Sequence, residues 1–172
     1  MARIVERRTR HPRVRGMAQV FVPDVAIPEV SGTLDAPEDE EGPHPPRRGA
    51  ILVVEDHTEV RLGLAQLLEL NGFRVTDAAD AEHALRHLDA HPAGFALMLL
   101  DLLLPGHSGK DLREWQLADP RLAAIPAVVV TACEPEADAQ ARLRASAWLE
   151  KPFRCDDLLT VVRRYVSPEP TR

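Results

Sequence analysis

The stretch GAILVVEDH, residues 49–57, decides the fold: an apolar run from Ala50 to Val54 with no polar alternation, ended abruptly by Glu55 and Asp56. A strand with one wet face alternates polar and apolar residues, whereas a strand covered by helices on both faces reads as an unbroken apolar run. Working outward, similar runs recur at Phe73 to Val75, Phe95 to Leu100, Ala127 to Val130 and Ala147 to Leu149. Between them Val60, Leu64, Leu67 and Leu68 stand at helical spacing, as do Ala81, Ala84, Leu85 and Leu88, and later Leu158, Val161, Val162 and Tyr165. Asn71-Gly72 closes the first helix and Pro126 opens the fourth strand. Strands alternating with helical segments predict an open five-stranded parallel α/β sheet with helices on both faces.

The flanks read differently. Residues 1–48 hold seven of the 15 prolines and almost no strand or helix periodicity, and the C-terminus ends in SPEPTR. The predicted organisation is therefore a disordered, proline-rich charged tail over 1–48, a domain over 49–166 and a short tail over 167–172. In the first tail an arginine block, Arg3 to Arg15, precedes an acidic block, Asp24 to Glu41, and its eight bases balance eight acids, so the net charge of -6 belongs to the remainder. The arginine block lacks interleaved aromatics and a helix signal, which favours a solvated tail over a nucleic-acid contact; a later translation start, at Met17 or beyond, is a third reading. No run of eighteen apolar residues exists and MARIVERRTR has no apolar signal region, so the expectation is a cytoplasmic protein without a membrane span. Cys133 and Cys155 lie in neither a CxxC motif nor a histidine cluster, and read as two reduced thiols rather than a disulfide or zinc site.

In open parallel sheets ligands bind beyond the carboxyl ends of the strands. The first strand ends in Glu55-Asp56, the third in Asp101, the fourth in Thr131 and the fifth in Lys151-Pro152. Singly, each has a structural explanation, since acids cap helices, threonine ends strands and lysine is common on surfaces; jointly they bring three carboxylates, a hydroxyl and an ammonium to one rim. Two like charges about 4 Å apart repel by roughly 4 kcal/mol at an effective dielectric near 20. Lys151 can neutralise one carboxylate, and the remaining pair calls for a hard divalent cation with oxygen ligands, for which Mg2+ fits best. No glycine-rich phosphate loop is present, which disfavours nucleotide binding and leaves Mg2+-assisted phosphoryl transfer onto one carboxylate.

These residues resemble the receiver domain of bacterial two-component and phosphorelay response regulators. The resemblance covers about residues 50–166 and rests on ILVVEDH, DLLLPGHSG, Thr131-Ala132 and Lys151-Pro152-Phe153, in that order and at strand ends. It implies a flavodoxin-like fold in which Asp101 is the phosphoacceptor, attacking the phosphorus of a phosphohistidine on a histidine kinase or histidine phosphotransfer protein. It further implies Mg2+ held by Glu55 through water, by Asp56, by Asp101 and by the backbone carbonyl of Leu103. Thr131, the Ala132 backbone and Lys151 would bind the phosphoryl group, with a cis peptide before Pro152 aiming the lysine inward. Thr131 and Trp148 would form the switch, although a tryptophan merely packing the sheet is the competing reading. Downstream proteins would dock on region 134–166.

The sequence departs from the family's pattern in three places. The stretch from Thr131 to Lys151 is short, which predicts a shortened or shifted fourth helix. Ala145-Ser146 stands in place of the usual Gly-Ala, and Leu104 replaces a methionine. His107, near the acceptor, reads as a solvent-exposed loop residue, and His83, His87 and His91 as a solvated helix face. The resulting expectation is a stand-alone, non-enzymatic phosphoacceptor that signals through protein contacts, with a homodimer left open and nucleic acid disfavoured. A receiver fragment of a hybrid histidine kinase, a non-phosphorylated adaptor and a DNA-binding regulator are the alternatives.

Overall fold

The computed structural model describes residues 20–21, 46–132 and 137–169. Its strands are β1 (Val20–Phe21), β2 (Ala50–Val54), β3 (Val75–Ala78), β4 (Phe95–Asp101), β5 (Ala127–Thr131) and β6 (Ala147–Glu150). The helices are α1 (Thr58–Leu70), α2 (Ala81–Ala90), α3 (Gly109–Ala118), α4 (Ala137–Leu143) and α5 (Cys155–Tyr165). The sheet order is β1-β6-β5-β4-β2-β3; β2 to β6 are parallel and β1 pairs antiparallel with β6. The five predicted parallel strands are thus present in doubly wound order, with β2 and β4 adjacent and chain direction reversing across the sheet at that point.

The central strands β4 and β5 are buried along their whole length, because a helix layer lies on each face. On one face Leu52, Val54, Met98 and Leu100 meet Ala84 and Leu88 of α2, Leu112 of α3 and Leu143 of α4. On the other Ile51, Val53, Leu97 and Leu99 meet Leu64 and Leu68 of α1 and Leu158, Val161 and Val162 of α5. Burying one such leucine or valine side chain contributes about 1.5–3 kcal/mol, so both layers are anchored by the same strands whose ends carry the polar residues.

Four differences from the sequence reading have physical causes. The second predicted strand, Phe73 to Val75, begins at Val75 and runs on to Ala78; Gly72, at φ 83°, still belongs to the turn that leaves α1, and Phe73 packs into the core ahead of the strand. Helix α3 lacks a clean apolar stripe because its buried face carries Arg113 and Gln116 beside Leu112. It starts instead at a capping box, in which Ser108 Oγ accepts from the Asp111 amide at 3.2 Å and Asp111 Oδ2 accepts from the Ser108 amide at 2.8 Å. The two-residue β1 falls inside the predicted tail, in register with Leu149 and Trp148; a pairing this short leaves no periodic signature. Pro46, Arg47 and Arg48 are likewise described, Arg47 bridging Val166 through the backbone, while the rest of the predicted 1–48 tail lies outside the described residues, as does Cys133. Last, the left-handed residue before β6 is Arg144, at φ 42°, one position ahead of the expected substitution at Ala145-Ser146. Helix α4 is short, with seven residues, as the Thr131 to Lys151 spacing predicts.

Candidate functional site

The carboxyl ends of β2, β4, β5 and β6 meet at one rim. Adjacent registers place Asp101 beside Val130 and Thr131 beside Glu150, and the Lys151 amide donates to the Thr131 carbonyl at 2.8 Å. Glu55, Asp101 and Thr131 are all buried there. The lysine crosses the rim: its Nζ donates to Glu55 Oε2 and to Asp101 Oδ2, each at 2.6 Å. The peptide bond between Lys151 and Pro152 is cis, a form that proline alone makes inexpensive. Burial works against the Lys151 charge, but the hydrogen bonds and charges of Asp101 and Glu55 outweigh it and hold its pKa above the usual lysine value.

Asp101 Oδ1 accepts the Leu103 amide at 2.9 Å, so both of its oxygens are oriented by donors. The loop that follows is pinned by Gly109, whose amide donates to the Leu102 carbonyl at 3.1 Å. A Cβ at Gly109 would overlap the Asp101 carbonyl oxygen and the Leu102 Cα, so only glycine allows α3 to start this close to the end of β4.

Glu55, Asp56 and His57 form a tight group whose potential ligand atoms lie within 4.8 Å of one another. His57 Nδ1 is 2.9 Å from Asp56 Oδ1 and 3.4 Å from Glu55 Oε1. Asp56 keeps 29% of its side chain exposed against 2% for Glu55, so Asp56 is the carboxylate most open to an incoming cation. The donor set here, carboxylate oxygens at the mouth of a polar rim, is hard and anionic, and fits Mg2+. Asp101 does not join this tight group; it reaches Glu55 through the shared lysine.

Two residues the sequence reading did not single out complete the rim. Arg61 Nη1 donates to the carbonyls of Glu55 at 2.8 Å and Asp56 at 3.1 Å, while its Nε binds Asp77 Oδ2 at 2.9 Å. A lone base one turn into α1, after two acids, is the signal that could have found it. His57 itself is the other. His107, expected in solvent, keeps an exposed imidazole yet stands 3.2 Å from Glu82 and edge-on to Trp115, with ring centroids 4.8 Å apart. Of the three histidines read as a solvated face, His91 is exposed, while His83 and His87 are half-buried and meet each other, Nε2 to Nε2 3.0 Å, with their rings tilted by 33°. Trp148 is buried in one of the two core layers and pairs in register with Val129, two residues before Thr131 on β5. Leu103 is 61% exposed on the acceptor loop, and Ala132 is exposed next to Thr131. Among the described residues no helix is long and apolar enough to cross a membrane.

Comparison with known proteins identifies the family and the fold. Residues 51–163 match the response regulator receiver domain family. The chain is 34% identical over 116 residues to the sensory transduction protein RegX3 of Mycobacterium tuberculosis, covering 66% of this chain and 49% of the relative. It is 35% identical over 119 residues to the KDP operon transcriptional regulatory protein KdpE of Escherichia coli, covering 66% and 49%. The chain therefore spans about half the length of these relatives. Among solved structures, a response regulator receiver protein from Pseudomonas putida superposes with a TM-score of 0.62 at 31% identity, covering 69% of this chain and 98% of that one. The chemotaxis protein CheY4 of Vibrio cholerae, at 24% identity, shares the fold with a TM-score of 0.63, covering 70% and 100%. With the family match spanning well over half of the chain and the acidic rim in place, this protein belongs to the response regulator receiver domain family.

Proposed function

We propose that the domain accepts a phosphoryl group on Asp101 from a phosphohistidine of a histidine kinase or histidine phosphotransfer protein. The observation that carries this reading is the double contact of Lys151 with Asp101 and Glu55 at the rim. It sets one ammonium against two buried carboxylates where three acids gather, and orients the Asp101 oxygens at the rim. An Asp101 carboxylate oxygen attacks phosphorus, the new O–P bond forms as the N–P bond breaks, and the electron pair returns to the departing imidazole nitrogen.

Glu55, Asp56, Asp101 and the Leu103 carbonyl are the proposed holders of Mg2+, with Glu55 acting through a water. When bound, the ion supplies charge neutralisation between carboxylates and phosphoryl oxygens. The remaining work falls to protein groups. Lys151 exchanges a carboxylate oxygen for a phosphoryl oxygen. The Thr131 hydroxyl and the Ala132 amide donate to the others. The product carries roughly -2 charge and three acceptor oxygens where a carboxylate stood, and the pull on Thr131 is the proposed trigger of the switch, with Trp148 as its packing partner. Output would pass to a protein target through region 134–166, of which residues 134–136 lie outside the described residues. Cytoplasmic location and action as a stand-alone regulator belong to the same proposal, and an immunoblot of native extract showing one species near 19 kDa would support the latter.

The test is intact-mass measurement after incubation with Mg2+ and a small acyl-phosphate donor. One phosphoryl group is expected on the wild-type chain, none on Asp101→Asn, and none once a chelator is present. Modification persisting in the variant would move the acceptor elsewhere; no modification of either would favour a receiver-fold docking module.

A further inference from the structure

The strands' amino ends, at the opposite pole from the acidic rim, line a cavity of about 360 Å³ whose lining includes Arg47, Arg113 and Arg144 and, among the described residues, no acidic one. Arg113 is 3% exposed, yet all four of its hydrogen-bond acceptors are neutral: the carbonyls of Leu143, Ile125 and Arg144, and the Gln116 amide oxygen. Those four bonds use four of the five N–H donors of a guanidinium. Among the described residues none of the three arginines is within ion-pair distance of a carboxylate. A buried cation without a counter-charge is costly, because neutral dipoles only partly replace lost water. Burial, and then the nearby Arg144, press the Arg113 pKa down to about 10.

The other two arginines are held at this cavity by the backbone. Arg47 donates from Nη1 to the Ala124 carbonyl at 2.9 Å, and its own backbone is tied to Tyr165 and Ser167. Arg144 sits at φ 42°, directly after α4, in a conformation where glycine is free of the Cβ clash and arginine is not. Its carbonyl takes Arg113 Nη2 at 2.9 Å. Tyr165, with its hydroxyl on the Ser146 carbonyl at 2.7 Å, and Pro126 supply an apolar wall.

We propose that this cavity binds a phosphate group, free or carried as a phosphomonoester, with Arg113 at its floor and Arg47 and Arg144 at its mouth. Two exposed guanidiniums, Arg47 and Arg144, beside the one N–H that Arg113 has left put three positive charges at the cavity, which match a dianion better than the single charge of a carboxylate. The volume leaves room for a sugar-sized body against Tyr165 and Pro126. The site is separate from the acceptor rim and requires no metal.

The test uses the full chain without Mg2+, titrated with inorganic phosphate or with ribose 5-phosphate against chloride of equal ionic strength. Side-chain Nε–H signals of the arginines are followed by NMR. Saturable shifts of Arg47, Arg113 and Arg144 are expected. Arg144→Gly, which suits the left-handed backbone, should fold and weaken binding about tenfold, the loss of one charge-assisted contact; Arg47→Gln serves as a second, exposed variant. Equal affinity for the two probes would assign free phosphate, and tighter binding of the ester would assign a phosphorylated small molecule. Shifts confined to the Thr131–Lys151 rim, no saturation, or unchanged affinity in both variants would overturn the site.

Discussion

Lys151 Nζ lies 2.6 Å from Asp101 Oδ2, joining the ends of β6 and β4 across fifty residues of chain. The same nitrogen holds Glu55 at 2.6 Å. A single ammonium therefore compensates two carboxylates that the fold buries side by side, and its removal would expose the electrostatic cost of the rim.

Lys151→Met should destabilise the apo protein by about 3 kcal/mol, because breaking a buried pair leaves an uncompensated charge. The pH dependence follows from the direction of the shift. A lysine whose folded pKa is raised contributes stability that is complete below its unfolded value of 10.5 and is lost as pH climbs through the folded value. Urea unfolding of the wild type should weaken above pH 10.5, and Lys151→Met should lose that part of the pH slope. Parallel curves for the two proteins would mean that the ammonium is not stabilised by its partners.

Gly109→Ala should cost about 2 kcal/mol, the typical range for forcing extra volume into a close-packed site, because the added methyl overlaps the Asp101 carbonyl. Its effect should reach the acceptor loop as well. Chemical denaturation measures the first consequence, and the rate of modification by an acyl-phosphate donor the second. A variant as stable as wild type would show that α3 can withdraw from the end of β4.

His87 should titrate below 6.5, since burial and then the neighbouring His83 disfavour its charge, with smaller contributions of the same sign from Arg86 and His91, while Asp77 opposes them. Its contribution to stability is accordingly present above pH 6.5 and falls away on acidification through the folded value. NMR titration of the His87 ring should show a depressed midpoint that rises in His83→Gln. A midpoint at or above 6.5 in the wild type would contradict the close His83–His87 contact.

The rim was legible in the sequence because strands buried on both faces leave only their ends for polar groups, so Glu55, Asp101, Thr131 and Lys151 stand out against apolar runs. What stayed hidden follows the opposite logic. Helix α3 puts Arg113 and Gln116 on its inner face, with Gln116 fully buried, so no 3.6-residue apolar stripe marks it and only the Ser108 to Asp111 box announces its start. The edge strand β3 keeps Thr76 and Asp77 half-buried and does not look like its fully covered neighbours. Arg61 acts by binding carbonyls, a partnership that residue spacing does not encode. Arg144 occupies a backbone conformation that the residue type argues against, and such conflicts between local preference and fold are where sequence patterns fail.

The central claim is that Asp101 becomes an acyl phosphate, and borohydride trapping tests it most directly. The reagent reduces an aspartyl phosphate to homoserine, so the chain is treated with an acyl-phosphate donor and Mg2+, reduced, digested and mapped by peptide mass. Conversion of residue 101 alone to homoserine, abolished in Lys151→Met or when Mg2+ is chelated, is the predicted result. Homoserine at position 56, or an unchanged residue 101 in protein shown by mass to carry the phosphoryl group, would contradict it.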